Sequence, residues 1–551
     1  MAMQGTSVRL LTPQEKRVTY LPQDFVSSYD WLDRLSPPDR EKFLEFGCGA
    51  DVKPRFERIH QAFEFYAQSQ PDSCAVIDAV GLQVSYRELN NQADMLAALL
   101  QSSGVCRGDS VCLFVRRSVE MVVGILACLK AGACYVPQDM LVCPSQQRDH
   151  VVATAKAAVI LTTSEYLDAI SAGEQQVIAI DRYLQQRPNV ECLNPPINTE
   201  PCPQDTAVVI FTSGTTGKPN GVQVSHANLC NILLTAPGDM GIKPGKKVGQ
   251  ILNIAFDMAV WEVLGCLGNG GTLVIRGKSF QQVAERVDIL IATPSILTSI
   301  DASHCHQLQA VAVAGEPCSR LLAETWGAFC DFYNSCGPTE TTIVNTAEVY
   351  RPGDRYLSIG KPTPNNTVYI LNDQLQPCRI GEVGEMWAGG DCVTKGYINN
   401  PALTAERYRD DPFLGNGRKM FRTRDLGRWL EDGTLEHLGR VDDQVKIRGF
   451  RVELDAVSAV LERTRNCARA VALKLDDRHL VAFVSPAGVD LNEAHRQVQQ
   501  ALPYYCEPLF ILPLDALPKT IRGKIDKRQL MSLASEFYRA NKMFDVEGAE
   551  V

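Results

Sequence analysis

The sequence lacks the features that would assign it to a membrane, to an oxidising compartment or to a metal site. Its longest strongly apolar segment, residues 121–129, is too short to span a bilayer, and residues 1–30 do not combine a basic start with an apolar core. The 19 cysteines include no Cys-x-x-Cys pair and are accompanied by only eight histidines, so neither a zinc site nor a disulfide framework is indicated. We therefore expect a cytoplasmic protein with reduced cysteines.

The chain also lacks a basic run. Its 55 Lys and Arg residues stand against 64 Asp and Glu residues, which gives a formal net charge of -9. Neither nucleic acid nor an anionic membrane is therefore indicated as a partner. The composition, 45% hydrophobic and 22% charged, is typical of globular proteins, and 551 residues are too many for one ordinary domain. We expect two or more packed units.

Short β-branched runs alternate with amphipathic stretches along the chain. The runs predict strands at residues 110–115, 158–161, 207–211, 289–292 and 310–314, and the amphipathic stretches predict helices at residues 119–131 and 320–329. This alternation indicates an α/β fold with largely parallel sheets. Residues 1–55, rich in proline and charge, are interpreted as a lead-in over the main body.

A hydroxyl- and glycine-rich loop follows one of the predicted strands. Residues 209–221 read Val-Ile-Phe-Thr-Ser-Gly-Thr-Thr-Gly-Lys-Pro-Asn-Gly. Glycine lets the backbone approach an anion, hydroxyl groups donate to its oxygens, and lysine adds positive charge. Two residues separate Gly214 from Gly217 and Pro219 follows Lys218, so this is not the P-loop of NTPases. A phosphate-binding loop is predicted, with a glycine-rich surface linker as the alternative.

Further motifs follow in a fixed order, and together with this loop they resemble the adenylate-forming enzymes. This superfamily contains the acyl-CoA ligases, the luciferases and the adenylation domains of nonribosomal peptide synthetases, and the Gln-Val-Lys-Ile-Arg-Gly form at residues 444–449 favours the last branch. The lead-in and the cysteine usage favour a fungal source. The matching segments are residues 129–139 (Leu-Lys-Ala-Gly-Ala-Cys-Tyr-Val-Pro-Gln-Asp), 334–342, 421–425, 439–453 and 517–526.

The resemblance implies a large N-terminal core of α/β subdomains, with two layered sheets and a small β-barrel, followed by a small mobile α+β cap. Asp442 occupies the position of the family's hinge. The expected boundaries are 1–57 for a lead-in similar to a condensation–adenylation junction, 58–440 for the core, 441–532 for the cap and 533–551 for a tail towards a carrier domain. The partners implied are the carrier and condensation domains of the same synthetase.

The resemblance also implies the residues that bind ATP and Mg²⁺. Two anions, the substrate carboxylate and the α-phosphate, must meet, so the site needs cations at both. Lys524 would bridge them, Glu340 would hold Mg²⁺, and Asp425 and Arg440 would contact the ribose. The alternative for Lys524 is a solvated surface lysine, and that for Glu340 is a capping carboxylate beside Thr339. The alternative for Asp425 and Arg440 is that they form only an exposed ion pair. The full ATP set is Thr212, Ser213, Gly214, Thr215, Thr216, Gly217, Lys218, Gly315, Glu316, Pro317, Asn334, Cys336, Thr339, Asp425 and Arg440.

Three positions depart from the family. Lysine is usual where Asn220 stands, an adenine-stacking tyrosine where Cys336 stands and glycine where Arg424 stands. Loss of a ring and of a charge predicts weaker ATP binding. The resemblance implies an amino-acid ligase that forms AMP and, overall, a carbon–sulfur bond. A degenerate domain that binds a nucleotide or a partner without catalysis is the alternative.

The substrate pocket implied by the resemblance favours a bulky neutral α-amino acid. Asp257 would pair with the α-ammonium group, which argues against an acyl- or aryl-CoA ligase; the alternative is a helix N-cap. Four of the pocket residues, Ala292, Ala312, Ala314 and Ser335, are small and would leave volume along one wall, and no second carboxylate is present. A long or bulky uncharged side chain is therefore expected, for example N5-acyl-N5-hydroxyornithine of the siderophore type, or a large aromatic or aliphatic one. The positions are Asp257, Met258, Trp261, Ala292, Ala312, Ala314, Ser335, Ile343, Val344 and Lys524. The aminoacyl group would then move to a phosphopantetheine thiol.

Overall fold

The computed structural model describes residues 32, 34–170, 173–186, 202–214, 218–519 and 525–547, the last six as backbone only. The strands are β1 (Cys74–Ile77), β2 (Gln83–Ser85), β3 (Ser110–Val115), β4 (Cys134–Asp139), β5 (Val159–Thr162), β6 (Gln176–Ala179), β7 (Thr206–Thr212), β8 (Asn220–Ser225), β9 (Lys247–Gln250), β10 (Thr272–Ile275), β11 (Ile289–Ala292), β12 (Ala310–Val313), β13 (Asp331–Cys336), β14 (Thr346–Tyr350), β15 (Lys361–Pro362), β16 (Asn366–Leu371), β17 (Gly384–Gly390), β18 (Tyr408–Asp410), β19 (Lys419–Trp429), β20 (Leu435–Arg440), β21 (Gln444–Ile447), β22 (Phe450–Glu453), β23 (Arg469–Lys474), β24 (Leu480–Ser485) and β25 (Pro508–Pro513).

The helices connect and cover these strands. They are α1 (Pro37–Gly47), α2 (Ile59–Ser69), α3 (Tyr86–Ser102), α4 (Val119–Lys130), α5 (Ser145–Ala155), α6 (Ile180–Gln185), α7 (His226–Leu233), α8 (Asp257–Val260), α9 (Cys266–Gly268), α10 (Phe280–Ala284), α11 (Pro294–Thr298), α12 (Arg320–Gly327), α13 (Pro401–Arg407), α14 (Leu454–Leu461), α15 (Leu491–Ala501) and α16 (Lys527–Glu547). Within the described ranges, no helix is both long and apolar enough for a bilayer span.

Two largely parallel sheets form the body of the protein, as the sequence predicts. The first has the order β6-β5-β3-β4-β7-β8, and the second has the order β15-β14-β13-β12-β11-β9-β10-β1-β2, parallel from β13 to β1. Every residue of β3 is buried, because helices cover both faces of such a sheet. The five predicted strands and two predicted helices are confirmed, each within two residues at either end.

The third sheet is antiparallel and follows the second in the chain. It has the order β16-β17-β19-β18, with β20 beside β19, and the register of β19 shifts against both β17 and β20. Among the described strands no ladder joins β16 to β18 or β20. Helix α1 covers it, with the ring of Phe43 centred 5.9 Å from Tyr369 and 5.4 Å from Phe413.

A small α+β unit, which we call the cap, comprises the described residues from 444 to 547. It contains the β21–β22 hairpin, the three-stranded sheet β23-β24-β25, and helices α14 to α16. Its apolar side chains form two clusters that contain no buried residue from before position 444. The α+β character expected of this part of the chain is confirmed.

The Leu-Lys-Ala-Gly motif at residues 129–132 has a structural role at the end of α4. The side chain of Lys130 is only 3% exposed, and its Nζ lies 2.5 Å from Oε1 of Glu64 and 2.7 Å from Oδ1 of Asp94. Gly132 follows with a φ of 80°, a left-handed conformation that lets the chain turn into β4 at low cost. The lysine thus joins α2, α3 and α4 through one buried cation.

We expect Lys130→Ala to lower the free energy of unfolding by about 3 kcal/mol, because it leaves two carboxylates together without their cation. Urea denaturation would measure the change. Lys419→Ala is the matched control, since Lys419 pairs with Asp410 at the surface, where both side chains are at least half exposed. Equal changes in the two variants would contradict a structural role for the motif.

Candidate active site

The predicted phosphate loop begins where β7 ends. The Oγ of Ser213 donates to the backbone carbonyl of Arg451, 3.0 Å away, which brings the loop against the cap. A Cβ on Gly214 would lie 2.4 Å from the carbonyl oxygen of Lys218, so this turn requires glycine. The predicted ligands Thr215, Thr216, Gly217 and Lys524 lie outside the described residues.

Three of the predicted ribose and hinge residues form one ionic cluster. Nη1 of Arg440 lies 2.8 Å from Oδ1 of Asp425, and its Nε and Nη2 lie 2.8 and 3.0 Å from the two oxygens of Asp442. Burial alone would raise the pKa of Asp425, but the hydrogen bond from His437 and the charge of Arg440 hold it below its usual value. These three side chains are 18% exposed or less, which argues against the exposed ion pair of the alternative interpretation.

Arg424 stands where the family usually has glycine, and its backbone has the conformation that glycine favours. Its φ is 64°, the left-handed region in which glycine is favoured and other residues are strained by about 1 kcal/mol. Its guanidinium lies 3.0 Å from Glu406 and 3.6 Å from Asp442. The side chain therefore adds a second cation beside the predicted hinge residue and offsets part of the backbone strain.

The other two departures remove polar or aromatic groups from the ATP site. Nδ2 of Asn400 donates to Oδ1 of Asn220 at 3.2 Å, so the residue at the usual lysine position is held within the protein. Cys336 ends β13, and burial raises the pKa of its thiol to about 12. It is a neutral thiol at physiological pH and offers no ring to the adenine.

The predicted adenine segment lies at the ends of β12 and β13. Gly315 has a φ of 85°, and the carboxylate of Glu316 accepts hydrogen bonds from the backbone N–H and the hydroxyl of Ser295 at 2.8 and 2.9 Å. The amide nitrogen of Asn334 donates to the carbonyl of Ser358 at 2.6 Å. Pro317 is exposed. The carboxyl ends of parallel strands thus bring together the residues predicted to bind adenine, as in other open α/β sheets.

Glu340, the predicted magnesium ligand, is fully buried and holds a cation from the cap. Nη1 of Arg451 lies 3.2 and 3.0 Å from its two carboxylate oxygens, and the hydroxyl of Tyr397 donates to one of them at 2.7 Å. Burial alone would raise the pKa of Glu340, but the charge of Arg451 holds it below its usual value. Pro338 is the N-cap residue of the 3₁₀ turn at Thr339–Thr341, and it makes no side-chain capping bond there. A charged hard-oxygen donor in a buried position fits Mg²⁺ chemically, and the guanidinium stands in for a cation here.

Asp257 is a half-buried carboxylate with an incomplete counter-charge. It is the first residue of α8, and no side chain caps that helix, so the N-cap alternative is not supported. Burial raises the pKa of Asp257, although the hydrogen bond from Thr339 and the charge of Lys446 act in the opposite direction. This position favours a ligand that carries positive charge.

The small residues predicted for the substrate wall divide between two faces of the sheet. The register aligns Ala312 with Tyr333, so Ala312, Ala314 and Ser335 share a face. Ala292 aligns with Val313 and belongs to the opposite face, which corrects the expectation of one wall of four residues. The wall comprises three residues because the pleat alternates at every position.

Four further pocket positions, Trp261, Met258, Ile343 and Val344, are buried as well. The indole N–H of Trp261 donates to the carbonyl of Gly238 at 2.6 Å, which fixes the ring in the core. Met258, Ile343 and Val344 are each less than 9% exposed. The hydroxyl of Ser335 is buried and has no hydrogen-bond partner among the described residues, so the wall contains one unsatisfied polar group.

Residues of the β21–β22 hairpin enter the site, and sequence reasoning missed their role. The ring of Phe450 lies 5.0 Å from that of Phe256 and stacks on Tyr505 at 4.1 Å. Gly449 approaches Thr293 so closely that a Cβ would lie 2.7 Å from its methyl group. No ligand contact is predicted from the sequence for residues 444–453; the two arginines and one lysine of this stretch, beside a site rich in carboxylates, are the available signal.

A protein-family comparison matches these features. The family model described as AMP-binding enzyme covers residues 63–398, more than half of the chain. The chain belongs to this family. It is an adenylation domain of the adenylate-forming type. The phosphate loop at residues 209–221 and the predicted adenine segment at residues 334–342 both lie within the matched range.

The curated relatives fall into two groups. Two adenylate-forming reductases of Coprinopsis cinerea are 43% and 46% identical over 93% and 92% of this chain and 50% and 49% of their own lengths. Tyrocidine synthase 2 of Brevibacillus parabrevis is 35% identical over 86% of this chain and 13% of its own. The chain thus spans about half the length of the first two relatives.

Solved structures share the fold. An artificially fused adenylation–PCP di-domain NRPS from Klebsiella oxytoca aligns with a TM-score of 0.74 at 23% identity, over 88% of this chain and 97% of that one. A four-domain nonribosomal peptide synthetase bound to AMP and glycine aligns with a TM-score of 0.65 at 27% identity, over 90% of this chain and 38% of that one.

Gly449→Ala should weaken the contact between cap and core, because the new methyl group meets Thr293 and the φ of 85° strains any other residue. We expect amide hydrogen exchange in residues 444–453 to become about tenfold faster. Gly488→Ala, where an added Cβ meets nothing within 4 Å, is the control in the same cap. Unchanged exchange in Gly449→Ala would contradict the docking described above.

Proposed function

We propose that this domain activates an α-amino acid with ATP and transfers it to a carrier thiol. A carboxylate oxygen of the amino acid attacks the α-phosphorus of ATP, and pyrophosphate leaves with the electron pair of the broken P–O bond. The phosphopantetheine thiol then loses its proton and attacks the acyl carbon, and AMP leaves. The observation that carries this proposal is the half-buried Asp257 at the start of α8, where burial raises the pKa of the carboxylate more than Thr339 and Lys446 lower it.

An α-ammonium group beside Asp257 would supply the missing charge. A buried carboxylate is costly unless it is paired, and Lys446 offsets only part of this cost because burial lowers the pKa of that lysine too. Fatty and aryl acids bring no cation to this position. The carboxylate therefore favours amino acids over the substrates of CoA ligases.

The other residues divide the work of binding ATP. Asp425 would accept hydrogen bonds from the ribose hydroxyls, and Arg440, which already holds Asp425 in place, would contact the ribose or a phosphate. Lys524 would bridge the substrate carboxylate and the α-phosphate. Glu340 would hold Mg²⁺, which when bound shields the phosphate charges.

The wall of Ala312, Ala314 and Ser335 supports a bulky, uncharged side chain. Its two alanines leave volume, and the pocket positions include no second acidic residue besides Asp257 that would pair with a distal cation. A polar atom of the substrate near the unsatisfied Ser335 hydroxyl would remove a desolvation cost. An N5-acyl-N5-hydroxyornithine meets these three conditions, and a large aromatic or aliphatic amino acid meets the first two.

The proposed setting is a cytoplasmic multidomain synthetase. The relatives named as synthases and the solved adenylation–PCP di-domain support a carrier domain as partner. A condensation domain before it is proposed only from the resemblance of residues 1–57 to a condensation–adenylation junction. In this proposal residues 1–57 are the lead-in, 58–440 the core, 441–532 the cap and 533–551 a tail, and Asp442 is the hinge.

A second candidate function follows from the relatives in Coprinopsis cinerea. Both are named adenylate-forming reductases, and this chain matches about half of each. The adenylated acid would then be passed on for reduction rather than for peptide synthesis. Detection of an aldehyde or alcohol product from the whole protein would favour this candidate, whereas an extended peptide would favour the first.

Lys524→Ala should nearly abolish adenylate formation and leave the fold intact, because it removes charge from the transition state and little from a core. The measurement is ATP–pyrophosphate exchange across proteinogenic, aromatic and N-acylated basic amino acids. Lys519→Ala, five positions earlier in the sequence and at an exposed residue, should retain exchange. Full exchange in the Lys524 variant, or exchange that no amino acid stimulates, would overturn the assignment.

Ala314→Phe should raise the apparent KM of the preferred amino acid at least tenfold, because an overfilled pocket clashes with the substrate it was shaped for. Exchange with a smaller amino acid would be spared or improved. Ala314→Gly, which adds no volume, is the control. Preference of the unaltered protein for glycine, alanine or free ornithine would show that the pocket interpretation is wrong.

A further inference from the structure

The carboxylate of Glu340 has no free position for a second cation in the structure described. It is 0% exposed, one oxygen accepts from Tyr397, and both oxygens contact Arg451. Mg²⁺ requires near-octahedral ligands at about 2.1 Å and keeps several waters. A metal with its waters and the guanidinium therefore cannot share this carboxylate.

Arg451 reaches Glu340 only because of the position of the cap hairpin. It lies on β22, paired with Lys446 of β21 across the hairpin, and its carbonyl oxygen accepts from Ser213 of the core. To make room for a hydrated ion, the guanidinium would have to withdraw from Glu340. This would move β22 or break these hydrogen bonds. Occupancy of Glu340 and position of the hairpin are therefore coupled.

We propose that Arg451 is a displaceable counter-ion: its guanidinium and a divalent cation occupy Glu340 in turn, so the hairpin docks as described only after the cation has left. The inference rests on the proposed function in one respect, that Glu340 ligates the metal during adenylation. By reciprocity, whatever weakens the docked hairpin strengthens metal binding by the same factor.

The experiment is a titration of the protein with Mn²⁺ alone, followed by electron paramagnetic resonance of the free ion. Arg451→Gln removes the competing cation and should bind one Mn²⁺ at least tenfold more tightly than the unaltered protein. Arg451→Lys, which retains the charge, should remain weak. Arg448→Gln is the matched control, because Arg448 lies in the same hairpin turn, is exposed and bonds the carbonyl of Arg478 within the cap.

The double variant Arg451→Gln, Glu340→Gln should lose the site gained by the single variant, and the thermal midpoint of each variant would establish that it folds. Arg451→Gln with Mn²⁺ affinity equal to that of the unaltered protein, or with tight binding that survives Glu340→Gln, would overturn the proposal. Pyrophosphate exchange tests the proposed function separately: exchange without the gain in Mn²⁺ affinity refutes only the counter-ion role, and the gain without exchange refutes only the proposed function.

Discussion

The arrangement of this site depends on keeping buried carboxylates charged. Glu340 and Asp425 are buried and Asp257 is half-buried, so each has lost much of its contact with water. A buried charge without a partner is costly, so each carboxylate requires a cation or a ligand. Arg440 meets this requirement for Asp425 from within the core, and Arg451 meets it for Glu340 from the cap. Asp257 is the one of the three whose pKa is raised.

This difference among the carboxylates ties the cap to the chemistry. The pKa of Glu340 and of Asp425 lies below the usual value, whereas those of Asp257 and Lys446 move towards the neutral forms. The cap hairpin thus completes one ion pair and leaves another incomplete. A substrate ammonium would complete the second pair, so amino-acid binding and cap position act on one shared set of charges.

The sequence predicted the fold well where a signal is contiguous. β-branched runs located the parallel strands, and the order of motifs identified the family; the ribose and metal roles of Asp425, Arg440 and Glu340 stay predictions. The pairing of Glu340 with Arg451 could not be predicted, because the two residues are 111 positions apart and no local preference joins them. The expectation that Ala292 shares a wall with Ala312 and Ala314 was wrong for a similar reason. A shift of one residue in register moves a side chain to the other face of the sheet, and the register depends on the neighbouring strand.

The departures from the family can be weighed against the alternative of a degenerate domain. A site released from selection would be expected to lose its costly buried charges first, since an apolar replacement is often neutral or stabilising. The three departures at the predicted ATP site are each held without disturbing a neighbour: the side-chain oxygen of Asn220 accepts a hydrogen bond from Asn400, the Cys336 thiol is neutral, and Arg424 adds charge beside Asp442. The expensive groups, Glu340 and Asp425 with their arginines, are all retained. The buried charges are present, and the departures fall at positions where they cost little. This pattern favours the proposed enzyme with altered nucleotide contacts over a degenerate domain.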